Sequence, residues 1–181
     1  MNEIRINPPF RAITLKANGG KLREIVTDAE VFIPDDISRL FHVPKKSEKV
    51  KAIWDTGATN TVISQNVSSK LSLIPTGRAN CNAVNECYET NTYIVNIGLP
   101  NGLRITDVQV TEAANMPDYD LLIGMDIITL GDLALTNANG ITWFSFRFPP
   151  DPVKIDYVDR CNEIMKKRVR REKNKTRQKR R

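Results

Sequence analysis

Apolar and polar positions alternate through most of the first 150 residues, and turn-forming residues interrupt them at short intervals. In "FRAITLKANGGKLREIVTDAEVFIP" (10–34) two strand-like runs flank Asn18-Gly19-Gly20. That triplet predicts a hairpin, because Asn and Gly adopt positive φ at little cost. A helical turn is predicted at 36–41, stopped by Pro44. "VKAIWDTGA" (50–58) reads as a strand running into a turn, and Val67 and Leu71 then sit at helical spacing in a short helix closed by Pro75. Alternation resumes on both sides of "LPNG" (99–102), whose Asn101-Gly102 predicts a second hairpin. The stretch 119–148 holds a short apolar run and a helix of one or two turns ending near Gly131. After it come the strand "LALTN", the turn "ANG" and the strand "ITWFSFRF". Many short strands without alternating long helices imply an all-β barrel or sandwich rather than βαβ units.

The pattern changes near residue 152. Ile155, Val158, Ile164 and Val169 allow an amphipathic helix at first, but beyond 170 no apolar side chain remains to bury, which predicts disorder there. The expected organisation is one domain over 1–151 and a basic tail over 152–181. Charge sharpens this division. Residues 151–181 hold 13 Lys and Arg against 5 Asp and Glu, while the first 150 hold 14 against 16. The surplus that sets the whole chain at +6 therefore belongs to the tail. A cationic tail can neutralise phosphates, so non-specific nucleic-acid binding is a candidate role. With no aromatic residue after Tyr157, base stacking is not expected. Three cysteines, Cys81, Cys87 and Cys161, lack zinc-site spacing and point to a reducing compartment. The first residues lack an apolar leader core, and no run nears ~18 consecutive apolar residues, the length that crosses a bilayer. The expectation is a cytoplasmic chain with no membrane partner.

Candidate chemistry narrows to one carboxylate. His42 is the only histidine, which disfavours mechanisms that need an imidazole base. In "AIWDTGATNTVIS" (52–64) Asp55 follows an apolar strand and precedes Thr56 and Gly57. A glycine there lets backbone or substrate approach the carboxylate closely, and the Thr hydroxyl can fix the loop. Read alone, the tripeptide also fits a surface strand end with an Asx-type turn. A second segment, "YDLLIGMDII" (119–128), runs into Gly124, 69 residues after Asp55.

Together "DTGATNTVIS" and "DLLIGMDIITLGD" resemble the two signature segments of retropepsin-like aspartic proteases, in order, spacing and the short helix after the Gly. The run from "TYIVNIGLPNG" to "GITWFSF" looks like bacterial single-lobe members of that family, and the likeness spans about 9–150. It implies an all-β acid-protease barrel lobe with one or two short helices, active as a homodimer on polypeptide substrates, with no metal or cofactor. Each chain would supply one Asp at a two-fold axis. Two carboxylates within ~3 Å share a single proton, the general situation in aspartic protease pairs. One can then activate water while the other donates to the peptide carbonyl. Carried over residue by residue, Asp55 takes the catalytic role and Thr56 the hydrogen bond across the two subunits. Gly57 meets the substrate backbone, Ala58 keeps the site floor small, and Leu122, Ile123 and Gly124 support the loop from beneath.

Two features depart from the viral pattern. An acidic residue two after the loop Gly and an Arg after the later Gly usually form an ion pair; here those positions are Thr59 and Met125. Losing both together is coherent, since a lone buried charge is the costly case. Asp126 is then expected to accept a hydrogen bond from Thr61. The flap is expected within 77–91, with Asn82, Ala83, Val84 and Asn85 at its tip and no glycine after Gly77. Such a flap also suits a dimeric peptide-binding module that keeps the groove without the catalysis. Trp143, Phe144, Phe146 and Phe148 are expected in the core or at a dimer contact, with 144, 146 and 148 on one face.

Overall fold

A computed structural model describes residues 2–7, 11–83 and 86–179, with the side chains of 7, 81–83, 86–88 and 176–179 left undescribed. The chain divides into two compact units, 1–150 and 151–181. The first unit is almost entirely β, in two sheets. The smaller sheet places strands in the order β1 (Glu3–Asn7), β2 (Ala12–Lys16), β11 (Trp143–Arg147) and β10 (Asp132–Thr136). The larger runs β3 (Val26–Phe32), β4 (Ser47–Trp54), β9 (Leu121–Ile123), β5 (Val62–Ser64), β8 (Arg104–Ala113), β7 (Glu86–Gly98) and β6 (Gly77–Ala83). Pairing of β3 with β7 joins its ends, so six of these strands close a barrel. Three short helices punctuate it: α1 (Asp35–Leu40), α2 (Gln65–Leu71) and α3 (Met125–Ile128).

The alternation read from sequence is realised as an inward face. On β4, Val50, Ala52 and Trp54 are buried, and Val31, Ile63, Val95, Ile97, Leu121 and Ile123 fill the barrel from other strands. Ile13, Leu15, Phe144 and Phe146 of the smaller sheet are equally buried. The Trp54 ring joins the two layers, 5.0 Å from Phe144 and 4.9 Å from Phe146, and its Nε1–H donates to Thr27 Oγ1 at 3.0 Å. A buried aromatic of this size contributes roughly 1.5–3 kcal/mol. Here it also fixes the residue directly before Asp55.

The hairpin at Asn101-Gly102 forms as predicted: Gly102 has φ +79°, and Ile97 pairs with Ile105 across it. The one at Asn18-Gly19-Gly20 does not. Both glycines take positive φ, but β2 pairs with β1 and β11 on its two edges, which leaves none for β3. The turn instead carries the chain from one sheet into the other, held by Thr142 N–H donating to Gly20 O at 3.1 Å. α2 starts at an N-cap, with Ser64 Oγ accepting from Val67 N–H, and ends at Ser72 in the left-handed conformation, ahead of Pro75.

In the second unit α4 spans Tyr157–Lys179 and thus extends past 170, where disorder was predicted. The physical reason is local. The segment has no Gly or Pro and is rich in Lys, Arg, Glu and Gln, all good helix formers whether or not they bury anything. Among the described residues no helix is long and apolar enough to cross a membrane.

Candidate active site

β4 delivers Asp55 to the end of the barrel. It lies parallel to β9, with Ala52, Ile53 and Trp54 opposite Leu121, Leu122 and Ile123. The ladder continues one residue further, since Asp55 N–H donates to Ile123 O at 3.0 Å. The chain then turns sharply. Asp55 Oδ1 accepts the Gly57 N–H at 2.8 Å, and Ala58 N–H reaches Asp55 O at 3.3 Å. Asp55 is half-buried, while Thr56 and Gly57 are exposed. The carboxylate is thus held at one oxygen and open on its outer side.

Beneath the loop, the segment after β9 is tied to it at every step. Met125 N–H donates to Ala58 O at 2.8 Å and Asp126 N–H to Thr59 O at 3.2 Å. These two backbone bonds span the positions where the viral pattern has an ion pair. Gly124 N–H donates to Thr61 Oγ1 at 3.2 Å, and Thr61 Oγ1–H in turn donates to Asp126 Oδ1 at 2.8 Å. Asp126 Oδ2 takes the Thr61 N–H at 3.0 Å, and Oδ1 also takes the Ile127 N–H at 3.0 Å. Thr61 is fully buried, so these partners are what keep its polar groups satisfied. The expected Thr61–Asp126 bond is therefore present, and twofold. Gly124 is needed for its size: a Cβ there would lie 2.6 Å from the backbone of Asn60.

Of the residues singled out in the sequence, Asp55, Thr56, Gly57 and Ala58 form the loop. Leu122 pairs with Ile53 and Val62, Ile123 caps the Asp55 N–H, and Gly124 backs onto Asn60. The flap candidates fall on the β6–β7 hairpin, whose last described pair is Ala83 with Glu86. Asn82 and Ala83 lie on β6, their side chains undescribed; Val84 and Asn85 lie outside the described residues. The hairpin overhangs the barrel, because β7 leaves its pairing with β8 at Thr92 while β6 follows it onward. Between its base and the loop is a cleft of about 420 Å³, lined by Asn60, Ala79, Thr92, Gln109, Thr111 and Asp126 among others. Gln109, Thr111 and Ala79 were not anticipated, since nothing local in the sequence marks strand residues that meet a loop 50 positions earlier in the chain or a hairpin between them. A larger hollow of about 730 Å³ includes Lys49 and Asp120, at the opposite ends of β4 and β9 from Asp55.

The family model described as "gag-polyprotein putative aspartyl protease" matches residues 43–129, from before β4 to the end of α3. Over that segment the chain is similar to retropepsin-like aspartic proteases. The matched segment contains both the Asp55 loop and the Gly124 turn beneath it, the two pieces that the hydrogen bonds join. Among solved structures, the chain is similar to a retropepsin-like aspartic protease from Rickettsia conorii, with 13% identity over 81% of this chain and 95% of that one (TM-score 0.47). It is also similar to the EIAV protease complexed with the inhibitor HBY-793, at 16% identity over 62% and 92% of the two chains (TM-score 0.42). The retroviral protease-like domain of Ddi1 from Leishmania major matches at 15% identity over 74% and 100% (TM-score 0.38). No curated protein matches the chain.

Proposed function

We propose that this chain is an aspartic endopeptidase that works as a homodimer, with Asp55 of each copy forming the catalytic pair. The observation that carries the reading is the Asp55 loop itself. Its carboxylate is oriented by the Gly57 N–H, its backbone is an extension of the β4–β9 ladder, and its outer face is open. A single chain offers one carboxylate at this point, and a two-fold axis beside the loop supplies the second. The pair then holds one proton between them. The ionised Asp55 takes a proton from water as the water attacks the scissile carbonyl carbon, and the protonated Asp55 donates to the carbonyl oxygen. As the tetrahedral intermediate collapses, the carboxyl that took the water proton gives it to the leaving nitrogen. The other recovers a proton from the intermediate's hydroxyl as the C=O reforms, so both carboxyls end as they began. Thr56 is proposed to bond across the axis, and Gly57 and Ala58 to leave room for an extended peptide. The β6–β7 hairpin, whose base shares a cleft with Asn60, is proposed as the flap over that peptide.

The test is digestion of a peptide library by the wild type and by Asp55→Asn. The substitution keeps size and the acceptor oxygen facing Gly57, so fold and dimer are expected to persist while cleavage falls by at least a thousandfold, roughly the weight of an essential acid–base group. Cleavage retained by the Asn form overturns the reading. Peptides that are bound and never cut by the wild type would favour the binding module instead.

A further inference from the structure

The second unit carries a surface that the protease reading does not use. Over the first 13 residues of α4, at 3.6 residues per turn, Tyr157, Val158, Cys161, Ile164, Met165 and Val169 fall within an arc of about 140°. Val158, Ile164, Met165 and Val169 are 69%, 46%, 56% and 44% exposed, so α4 by itself leaves the stripe uncovered. Arg160, Lys166, Lys167, Arg170 and Lys173 lie outside that arc. Arg168 falls inside it, where its alkyl stem can run along apolar surface with the guanidinium turned outward.

Three occupants can be weighed by whether they satisfy both faces. A second α4 would cover the stripe but would bring two strongly cationic helices together, a like-charge arrangement that opposes pairing. Nucleic acid would neutralise the cations yet leave five aliphatic, thiol and thioether side chains in water. An anionic bilayer surface satisfies both, because its headgroups face the cations and its acyl boundary accepts the stripe to a depth of about 5–10 Å. We infer that α4 is an interfacial helix that lies on anionic lipid membranes without crossing them. The sequence expectation of no membrane partner rested on the absence of a span, which a helix lying in the surface does not need. At 23 residues, about 34 Å, α4 is within the length range of many such helices. Its first turn is prepared in advance: Asp156 Oδ1 accepts the Val158 and Asp159 N–H groups at 2.9 and 3.1 Å.

The experiment is co-sedimentation of the full chain with phosphatidylcholine vesicles containing about 30% phosphatidylserine, and with phosphatidylcholine alone. Expected is binding at least tenfold tighter to the anionic vesicles, weakened by salt. Ile164→Gln with Met165→Gln preserves net charge and helix propensity, and is expected to lower vesicle affinity at least tenfold. Val158→Gln with Val169→Gln, on the same stripe, should repeat that loss. Replacing Lys166, Lys167 and Arg170 by Gln should lower it about a hundredfold, at about fivefold per cation. The near-ultraviolet signal of Trp54 and Trp143, both in the first unit, serves as the control that the body is unchanged. No binding to anionic vesicles at low salt overturns the inference. So does vesicle binding indifferent to both stripe variants, together with tighter binding to a 20-nucleotide RNA or duplex DNA; that outcome assigns the tail to nucleic acid. A fall in molecular mass caused by the stripe variants without vesicles would assign the stripe to a second copy. None of these readouts involves cleavage, so they stand apart from the test of Asp55.

Discussion

Thr61 and Asp126 show how a hydrogen-bonded pair can stand in for an ion pair beneath the Asp55 loop. Two hydrogen bonds join them, one to a hydroxyl and one to a backbone N–H, and Asp126 also caps the first turn of α3. Removing one partner leaves the other's groups buried without a match, which costs about 1–3 kcal/mol. Thr61→Val and Asp126→Ala should each destabilise by that order. Their double variant should fall short of the sum by more than about 0.5 kcal/mol, as measured by denaturant unfolding; additive effects would mean the pair is not coupled. Gly124→Ala tests the same place by size. Its Cβ would meet the Asn60 backbone at 2.6 Å, with no flexible side chain to yield. Overpacking of this kind costs about 1–3 kcal/mol. We expect a lowered melting temperature and peptide cleavage reduced beyond the loss of folded protein, since the displaced backbone belongs to the Asp55 loop. The bond between Thr61 and Asp126 was legible in the sequence because an ion pair had vanished from both sides at once. Its second strand, to the Thr61 N–H, needed coordinates.

Secondary elements differ in how they are held, and acid separates them. The start of α4 depends on Asp156, whose carboxyl is lowered from the ordinary 3.8 by the Asp159 N–H first and the neighbouring Lys154 next. A carboxyl with a folded pKa below its unfolded one contributes stability that is complete above the unfolded value. That contribution is lost as pH falls through the folded value. Acidification through and below the usual carboxylate range should therefore fray the first turn of α4. Other carboxyls lie on the same helix, so the comparison that isolates the cap is with Asp156→Asn, which caps without ionising. The Val158 and Asp159 amides should lose hydrogen-exchange protection with acid in the wild type and keep it in the Asn form. Equal loss in both would remove Asp156 from the account. The helix itself was predicted for its first turns only, because an apolar pattern was taken as its support; intrinsic propensity carries it on to Lys179. The Asn18–Gly20 turn misled in a related way. Turn chemistry sets local geometry, but the pairing that follows depends on which strand edges remain vacant.

For the molecule as a whole, the proposed function requires that one chain hold half a catalytic pair. If the site needs Asp55 from both copies, an equal mixture of wild type and Asp55→Asn allowed to exchange should show about one quarter of the activity of the same total amount of wild type, the share of dimers with two wild-type chains. Retention of one half would mean that each chain works alone. Dilution should also lower activity per chain once the dimer dissociates. The packing of Trp54 on Phe144 and Phe146 belongs at this level too. It makes the second sheet, formed from both ends of the domain, part of the support behind Asp55.

From the order of residues alone came the all-β class, the candidate acid, the glycine turn behind it and the basic tail, because each is written in local periodicity, short motifs or charge. The sequence also held the strand β1, in the alternation of Ile4 and Ile6, though five residues are too few to stand out. Barrel closure through β3 and β7, the seat of Trp54 and the cleft joining Asn60 to Thr92 could not be read that way. Each depends on contacts between residues far apart in the chain, whose partners are chosen by shape and by competition for strand edges.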